Sequence, residues 1–459
     1  MLGIWIGKLV SFVLRLTGRS ATSLPGKIAL RLSPSLIKRI GQSLSCCIVV
    51  TGTNGKTTTT TLIAAMVRQQ EPIITNAQGA NLAQGIASAL LERCNLLGRA
   101  KVKMAVLEID EATLPHVVAS LPIKLLVVTN VFRDQLDRYG ELDTTLQLLR
   151  DGIRQTDATL VINADDPLAN HLSLVASKHP LYYGMAQEVA GGSSRDQIRD
   201  GAFCLTCGGV LLYDAIYYGQ VGIYHCQSCD FRRPAVDFVG RPQATGMRVD
   251  ERGAKQTSYD HALRGLFNGY NVLAAIATAR AYGLTEEAIA AGLSAYRPPT
   301  GRMQPFATST QSVLCLIKNP TGCDSVLEAI CSDAGKKTVI IGINDLAADG
   351  KDVSWLWDAD FEWLVESGNV INFVTTGLRA EDMALRLKYA GVRPEQIQIA
   401  SVLDDALREG LLMANRGQSD IVYVLTTYTL VHTAANQLAI LETETEKYDT
   451  EAHYRPSVS

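Results

Sequence analysis

What this chain has least of is a surplus of charge. Its 43 Lys and Arg stand against 46 Asp and Glu, a formal net charge of -3, which removes the electrostatic case for a nucleic-acid surface. Long uncharged apolar runs are also missing. The apolar opening "MLGIWIGKLVSFVLRLTGR" is interrupted by Lys8 and Arg15, so it falls short of the ~18 to 20 residues that a membrane span needs. No small-residue cleavage pattern follows a charged start, which makes it a poor signal peptide. There is no internal repeat and no low-complexity tract. Cysteine is modest at ten residues, and six of them (Cys46, Cys47, Cys94, Cys315, Cys323, Cys331) are scattered in apolar or mixed surroundings. They read as reduced core thiols rather than a disulfide framework, as expected of a large cytoplasmic chain.

The 459 residues that are there, 47% hydrophobic, suffice for two to four domains. Leu2, Trp5, Leu9, Phe12, Val13 and Leu16 recur at helical spacing, so residues 1–45 are expected to hold an amphipathic helical segment. That helix either docks on the body or, helped by Trp5, Lys8, Arg15 and Arg19, touches the inner face of a membrane. From Cys46 onward, short β-branched runs alternate with helical segments: "CCIVVTG", then "TTTTTLIAAMVRQQ", then the strands "MAVLEID", "KLLVVTN" and "TLVINADD". This rhythm predicts an α/β fold with a parallel sheet covered on both faces. Residues from about 190 to 240 break it and read as an insertion. The helix "FNGYNVLAAIATARAYG" restores it, and "YRPPTGRMQP" (Tyr296 to Pro305) is the best linker. Beyond that, "KTVIIGIN", "NVINFVTTG" and "DIVYVLTTY" predict a second, smaller α/β domain. The expected boundaries are 1–45, 46–300 and 301–459, with an insertion at about 196–235.

"VVTGTNGKTTTT" follows a strand and opens a helix, the context a phosphate loop requires. Gly52 and Gly55 let the backbone aim amides at phosphate oxygens, and Lys56 supplies positive charge at the helix N-terminus. Thr57 or Thr58 can offer a hydroxyl to Mg²⁺. Glu108, ending "MAVLEID", stands where it can complete a metal site or serve as a surface carboxylate. In "TNVFRDQLDRYGELD" the acids Asp134, Asp137, Glu141 and Asp143 read mostly as capping or solvated residues.

Cys204-Leu-Thr-Cys207 and Cys226-Gln-Ser-Cys229 are two C-x-x-C knuckles with eighteen residues between them. Four thiolates at this spacing close a tetrahedral structural zinc site, a ribbon that stabilises rather than catalyses. His225 is an alternative ligand, which the second knuckle makes unnecessary. Further on, "VIIGINDLAADGKDVSWLWDADFEWL" places Asp345, Asp349, Asp352 and Asp358 after a strand, with Trp355 and Trp357 nearby. Such a loop suits a site or an interface; otherwise it is a solvated acidic loop.

The segments "TGTNGKTTT", the strand ending in Glu, "TN…RDQLDRYG", "NADDP", "FNGYNVLAA" and "GRM" resemble the Mur ligase superfamily in order and spacing, over roughly residues 46 to 435. The resemblance implies that ATP activates a carboxylate as an acyl phosphate, which an amine then attacks. It implies that Thr53, Asn54, Gly55, Lys56, Thr57 and Thr58 hold the nucleotide phosphates, and that Thr57 and Glu108 hold Mg²⁺. Asn268 and Asn271 would face the adenine side, Asn271 being otherwise a helix cap, and Arg302 would reach the nucleotide. Two departures stand out. Gln135 replaces a histidine usual in amino-acid-adding members, and "ELDTTLQLLRDG" lacks the carbamoylated lysine they carry, so the resemblance does not extend to their second metal. The aspartate-containing ATP motif of the third domain is replaced by "LIKNPTG".

With its inserted ribbon, the chain is similar to the amidating branch of the superfamily. That similarity implies amidation of the α-carboxylate of D-isoglutamate in lipid II to D-isoglutamine during peptidoglycan synthesis. Ammonia would come from a GatD-type glutaminase subunit, since this chain shows no recognisable Cys–His nucleophile pair of its own. Asp352, in "DGKD", would face the partner's Cys–His pair, with Lys351 where arginine is common. The alternatives are a stand-alone amino-acid-adding Mur or folylpolyglutamate-type ligase, a nucleotide-gated scaffold, and, weakest, a zinc-ribbon nucleic-acid binder.

Overall fold

The computed structural model describes residues 1–17, 21–76, 80–133, 142–189 and 200–453, with side chains to residue 445. The described residues fall into two compact units, dividing after Arg297 and before Pro298.

The first unit is built on a nine-stranded sheet. Its strands in chain order are β1 (Cys46–Thr51), β2 (Ile73–Thr75), β3 (Met104–Glu108), β4 (Ile123–Val128), β5 (Thr159–Asn163) and β6 (Leu181–Met185). A hairpin of β7 (Leu211–Tyr218) and β8 (Val221–Cys226) stands apart, and β9 (Phe238–Gln243), β10 (Gly246–Glu251) and β11 (Thr257–Asp260) rejoin the sheet. The order is β11-β10-β9-β6-β5-β4-β1-β3-β2. From β2 to β9 neighbouring strands run parallel, whereas β10 and β11 are added antiparallel. Central strands such as "CCIVVT" are continuous apolar runs because both faces are covered. Ile48 and Val50 face one core, while Cys47 and Val49 face the other.

The helix Lys56–Val67 is buried almost all round. Helices Leu266–Tyr282 and Glu286–Ala295 pack on it, and Gly292 touches the Met66 backbone where a Cβ would collide. Three helices, Leu2–Leu16, Leu24–Leu32 and Leu36–Gly41, precede β1.

The second unit carries β12 (Arg302–Phe306), β13 (Ser312–Leu316), β14 (Lys337–Gly342), β15 (Val370–Thr376), β16 (Ile397–Ile399) and β17 (Ile421–Thr426). They form a sheet in the order β12-β13-β17-β14-β15-β16, parallel except for the β12–β13 edge pair. Helices cover both faces. The stretch read as a linker therefore ends as an edge strand: Gly301 (φ 73) and Met303 (φ 53) make the turn and bulge by which Arg302 opposes Cys315. Edge strands tolerate the proline at position 305 because one side needs no ladder donor.

Candidate nucleotide and zinc sites

The loop between β1 and the helix Lys56–Val67 stands at the carboxyl end of the parallel strands, where open α/β sheets form sites. Gly52 (φ 117) and Gly55 (φ 83) occupy left-handed conformations, which side chains resist. A Cβ at Gly52 would also strike Thr129 and Asn130, and one at Gly55 would strike Asn271. The loop is thus shaped by Gly52 and Gly55 and clamped from two sides.

The clamp on one side is the segment after β4. Asn54 N–H donates to Asn130 Oδ1 at 2.8 Å, and the Asn54 carbonyl accepts from Thr129 Oγ1 at 2.8 Å. Thr53 Oγ1 accepts from Phe132 N–H at 2.9 Å and donates to its carbonyl at 3.1 Å. On the other side, Asn271 Nδ2 donates to Asn268 Oδ1 at 3.2 Å, and Asn268 Nδ2 donates to the Arg264 carbonyl at 2.8 Å. Asn271 is inside the helix and makes no capping bond; Gly265 is the N-cap.

Lys56 is buried. Its ammonium donates to the Gly52 carbonyl, to the Thr53 carbonyl at 3.2 Å, and to Glu111 Oε1 at 2.9 Å. Burial alone would lower its pKa, but Glu111, Asp110 and Glu108 more than offset that and raise it, so the ammonium stays charged. Burial pushes the Glu111 carboxyl up, with Lys56 pulling it back down. Glu108 is also buried; its Oε1 accepts from Asn81 Nδ2 at 3.0 Å, while Oε2 is enclosed without a hydrogen-bond partner.

Three buried carboxylates thus face one ammonium, and one carboxylate oxygen is orphaned. The orphaned Glu108 oxygen is a hard donor of the kind a divalent cation takes. The buried Thr57 and Thr58 begin the helix whose first-turn amides suit a phosphate. Sequence reasoning missed Glu111, Asn81, Thr129 and Asn130. "EIDEATLP" displayed Glu111, but its pairing with Lys56 arises only from the fold. Gln135, Asp134, Asp137 and Glu141 lie outside the described residues, and Asp143 sits in the first turn of the helix Leu142–Arg154.

The four cysteines converge. Cys204 and Cys229 sulfurs are 3.7 Å apart, and those of Cys207 and Cys226 are 3.5 Å apart. A tetrahedral site with Zn–S bonds of ~2.3 Å has S–S edges of about 3.8 Å, so the quartet has the dimensions to hold zinc. Among the described residues it is the one cluster of three or more metal-ligating side chains. Gly208 (φ 76) turns the first knuckle, and Gly209 N–H donates to Cys207 Sγ at 3.4 Å. His225 is outside the quartet and faces Asp214 across the hairpin. The other six cysteines are free thiols.

The ribbon hairpin is tied to the carboxyl ends of β4 and β5. At its turn, Gln220 Nε2 donates to the Val131 carbonyl at 2.5 Å and to Asp166 Oδ1 at 3.2 Å. Asp166 also accepts from the N–H groups of Val131 (2.7 Å) and Leu168 (3.0 Å). Asp165, fully buried, is bound by Arg233 at 2.5 Å and Tyr270 at 2.6 Å. "NADDP" is therefore the fastening point for the insertion.

Arg302 and Asp352 belong to the second unit. In the loop after β14, Asp349 accepts from Thr429 N–H at 2.7 Å and Oγ1 at 2.6 Å, which folds the loop back; Gly350 (φ 87) makes the turn. Asp352 is exposed and accepts from Ser354 N–H at 2.8 Å. Bonds from the Ser354 backbone and side chain lower its pKa and keep it ionised. Buried Arg386 holds the loop from below through the Leu356 and Ala359 carbonyls, and its guanidinium lies against Trp357. Asn319 of "LIKNPTG" caps the helix Pro320–Ser332 by accepting from Gly322 N–H at 2.7 Å.

A parallel-stranded unit with a phosphate loop, buried acids beside its lysine and a second α/β unit defines a Mur-ligase-type protein. The chain matches the Mur ligase middle domain over residues 50–203 and the MurT ligase C-terminal domain over residues 316–431. It is 36% identical to the lipid II isoglutaminyl synthase (glutamine-hydrolyzing) subunit MurT of Staphylococcus aureus (strain COL), covering 85% of this chain and 87% of that one. The MurT subunit of Streptococcus pneumoniae is 33% identical, with 93% and 94% covered. Of the solved structures, MurF ligase from Thermotoga maritima in complex with ADP shares the fold, with a TM-score of 0.62 at 15% identity, covering 91% of this chain and 84% of that one. This chain belongs to the MurT family.

Proposed function

We propose that this chain is the ligase subunit of a two-part synthase that amidates the α-carboxylate of D-isoglutamate in lipid II. The observation that carries the reading is the buried site around Lys56. There the glycine-shaped loop opening a helix, the charged Lys56 and the orphaned Glu108 oxygen bring together positive charge suited to a polyphosphate and a hard donor suited to its cation. ATP supplies the phosphoryl group that turns the carboxylate into an acyl phosphate, and ammonia then displaces phosphate to leave the amide.

In this reading the loop Thr53–Thr58 holds the phosphates through Lys56 and the amides of residues 55–58, the Thr53 and Asn54 N–H groups being bound to Asn130. Thr57 and Glu108 hold Mg²⁺, Asn268 and Asn271 border the adenine side, and Arg302 is assigned to the nucleotide on the resemblance alone. The residues position charge and neutralise it, which is most of what phosphoryl transfer asks of a protein. The zinc ribbon is scaffold.

Ammonia would come from a glutaminase subunit of the GatD type. Asp352, exposed, ionised and oriented by Ser354, suits a carboxylate offered to an imidazole, where it would fix the tautomer and stabilise the cation. Asp352→Asn is expected to depress glutamine-dependent amidation at least tenfold while added ammonia restores turnover. Equal loss with both nitrogen sources refutes that role. A stand-alone amino-acid-adding ligase is disfavoured because the helix Leu142–Arg154, where such enzymes carry their lysine, has none. A nucleotide-gated scaffold would release no phosphate at steady state with substrate and partner present.

A further inference from the structure

The helix Leu2–Leu16 is packed the wrong way round for a globular protein. Its inward side is Gly3, Ile4 and Gly7, which lie against Ala29, Ser33 and Leu91. Its large apolar residues face out: Leu2, Trp5, Leu9, Phe12, Val13 and Leu16 are 49 to 71% exposed. At ~100° per residue these six positions fall within a stripe about 100° wide.

The orientation is fastened, since Trp5 Nε1 donates to the Leu96 carbonyl at 2.9 Å and Lys8 Nζ to the Leu91 carbonyl at 2.6 Å. Arg15 pairs with Glu92 at 2.7 Å. The patch continues into Leu96 and Leu97, both about 60% exposed. Burial of apolar area drives side chains inward, so a helix pinned with its glycines inside and its largest side chains outside presents a binding surface.

The charge around it indicates the occupant. Residues 1–45 contain seven Lys and Arg and no Asp or Glu, in a chain that is acidic overall. Lys27, Arg31, Lys38 and Arg39 are exposed, and Arg39 reaches the Leu97 carbonyl. The segment 93–103 adds Arg93, Arg99, Lys101 and Lys103, also exposed and without an acid. An apolar stripe bordered by cations matches a surface whose apolar interior lies under anionic headgroups. No helix among the described residues is long and apolar enough to cross a membrane, so contact would be in the plane of the interface.

We propose that the helix Leu2–Leu16, with Leu96 and Leu97, is an interfacial anchor that seats this chain on an anionic lipid bilayer. Trp5, Phe12 and Leu16 enter the headgroup boundary, and the basic residues of positions 27–39 and 93–103 draw the chain to it. The inference rests on this surface alone and holds or fails independently of the ligase reading.

The test is co-sedimentation of the full chain with vesicles free of any peptidoglycan precursor. Vesicles of equal parts phosphatidylglycerol and phosphatidylcholine are compared with phosphatidylcholine alone. Binding should be at least tenfold stronger to the anionic vesicles. It should fall severalfold in 1 M salt, where the screening length drops to ~3 Å. Phe12→Glu, on the exposed stripe, should remove it with the thermal melt unchanged. Equal partitioning of wild type and Phe12→Glu would overturn the proposal. So would absence of vesicle binding together with a concentration-dependent dimer that Phe12→Glu dissolves, since the face would then be covered by a second copy.

Discussion

The ammonium of Lys56 is held by Glu111 at 2.9 Å with both side chains buried, so the two residues depend on each other before any nucleotide arrives. Removing one partner of a buried pair strands the other, at a cost of about 3–5 kcal/mol. Lys56→Ala is therefore expected to abolish amidation and to lower stability in urea by roughly that amount. Lys56→Ala with Glu111→Gln replaces the stranded carboxylate by a neutral amide and should recover about 1–3 kcal/mol while activity stays absent. Single and double variants of equal stability would contradict the pairing.

Asp166 makes a second test. Burial raises its pKa from 3.8 to about 6 despite bonds from Val131, Gln220 and Leu168. The folded state thus keeps the proton longer than the unfolded chain, and this group's contribution to stability falls as pH rises from about 4 to 6, by about 3 kcal/mol. Denaturation of wild type and Asp166→Asn across that range should show wild type losing ground with rising pH. A constant difference would refute the assignment. The pairing of Lys56 with Glu111 and the bonding of Asp166 were not legible in sequence, because each depends on neighbours brought from 35 to 55 positions away.

Elements were legible where burial leaves a pattern. β1, β3, β4, β5, β14, β15 and β17 are apolar runs enclosed on both faces, and the loop Gly52–Gly55 announces itself by its glycines. By contrast, β9 to β11 follow the insertion with polar, glycine-interrupted text such as "VGRPQATGMRVDE". They lie on the antiparallel margin, where hydrophobicity does not signal a strand. The cysteine spacing predicted a ribbon but not its fastening.

Through Gln220, the hairpin turn holds Val131 beside Asn130, which itself binds the Asn54 amide. Zinc analysis should find about one equivalent per chain, a closed Cys₄ site holding a single ion. Cys226→Ser should lose the metal and lower the melting temperature. Gln220→Ala should keep the metal but weaken ATP binding about 5- to 30-fold, the equivalent of roughly 1–2 kcal/mol. Unchanged ATP affinity in Gln220→Ala would separate the ribbon from the site.

Across the whole molecule, the proposed function divides the work between the two units: one holds the nucleotide, and the other presents Asp352 on a loop braced by Asp349 and Arg386. Sequence similarity to MurT subunits spans both, which is why the resemblance could be read along most of the chain. The helix Leu2–Leu16 was legible as amphipathic, but its inverted packing depends on the glycines that meet Ala29 and Leu91. Whether the two units serve amidation is decided by mass spectrometry of lipid II incubated with ATP, glutamine and this chain, with and without a GatD-type glutaminase. Conversion of acid to amide is expected only when both subunits are present. A product carrying an added amino acid, or an amide formed with glutamine by this chain alone, would contradict the assignment.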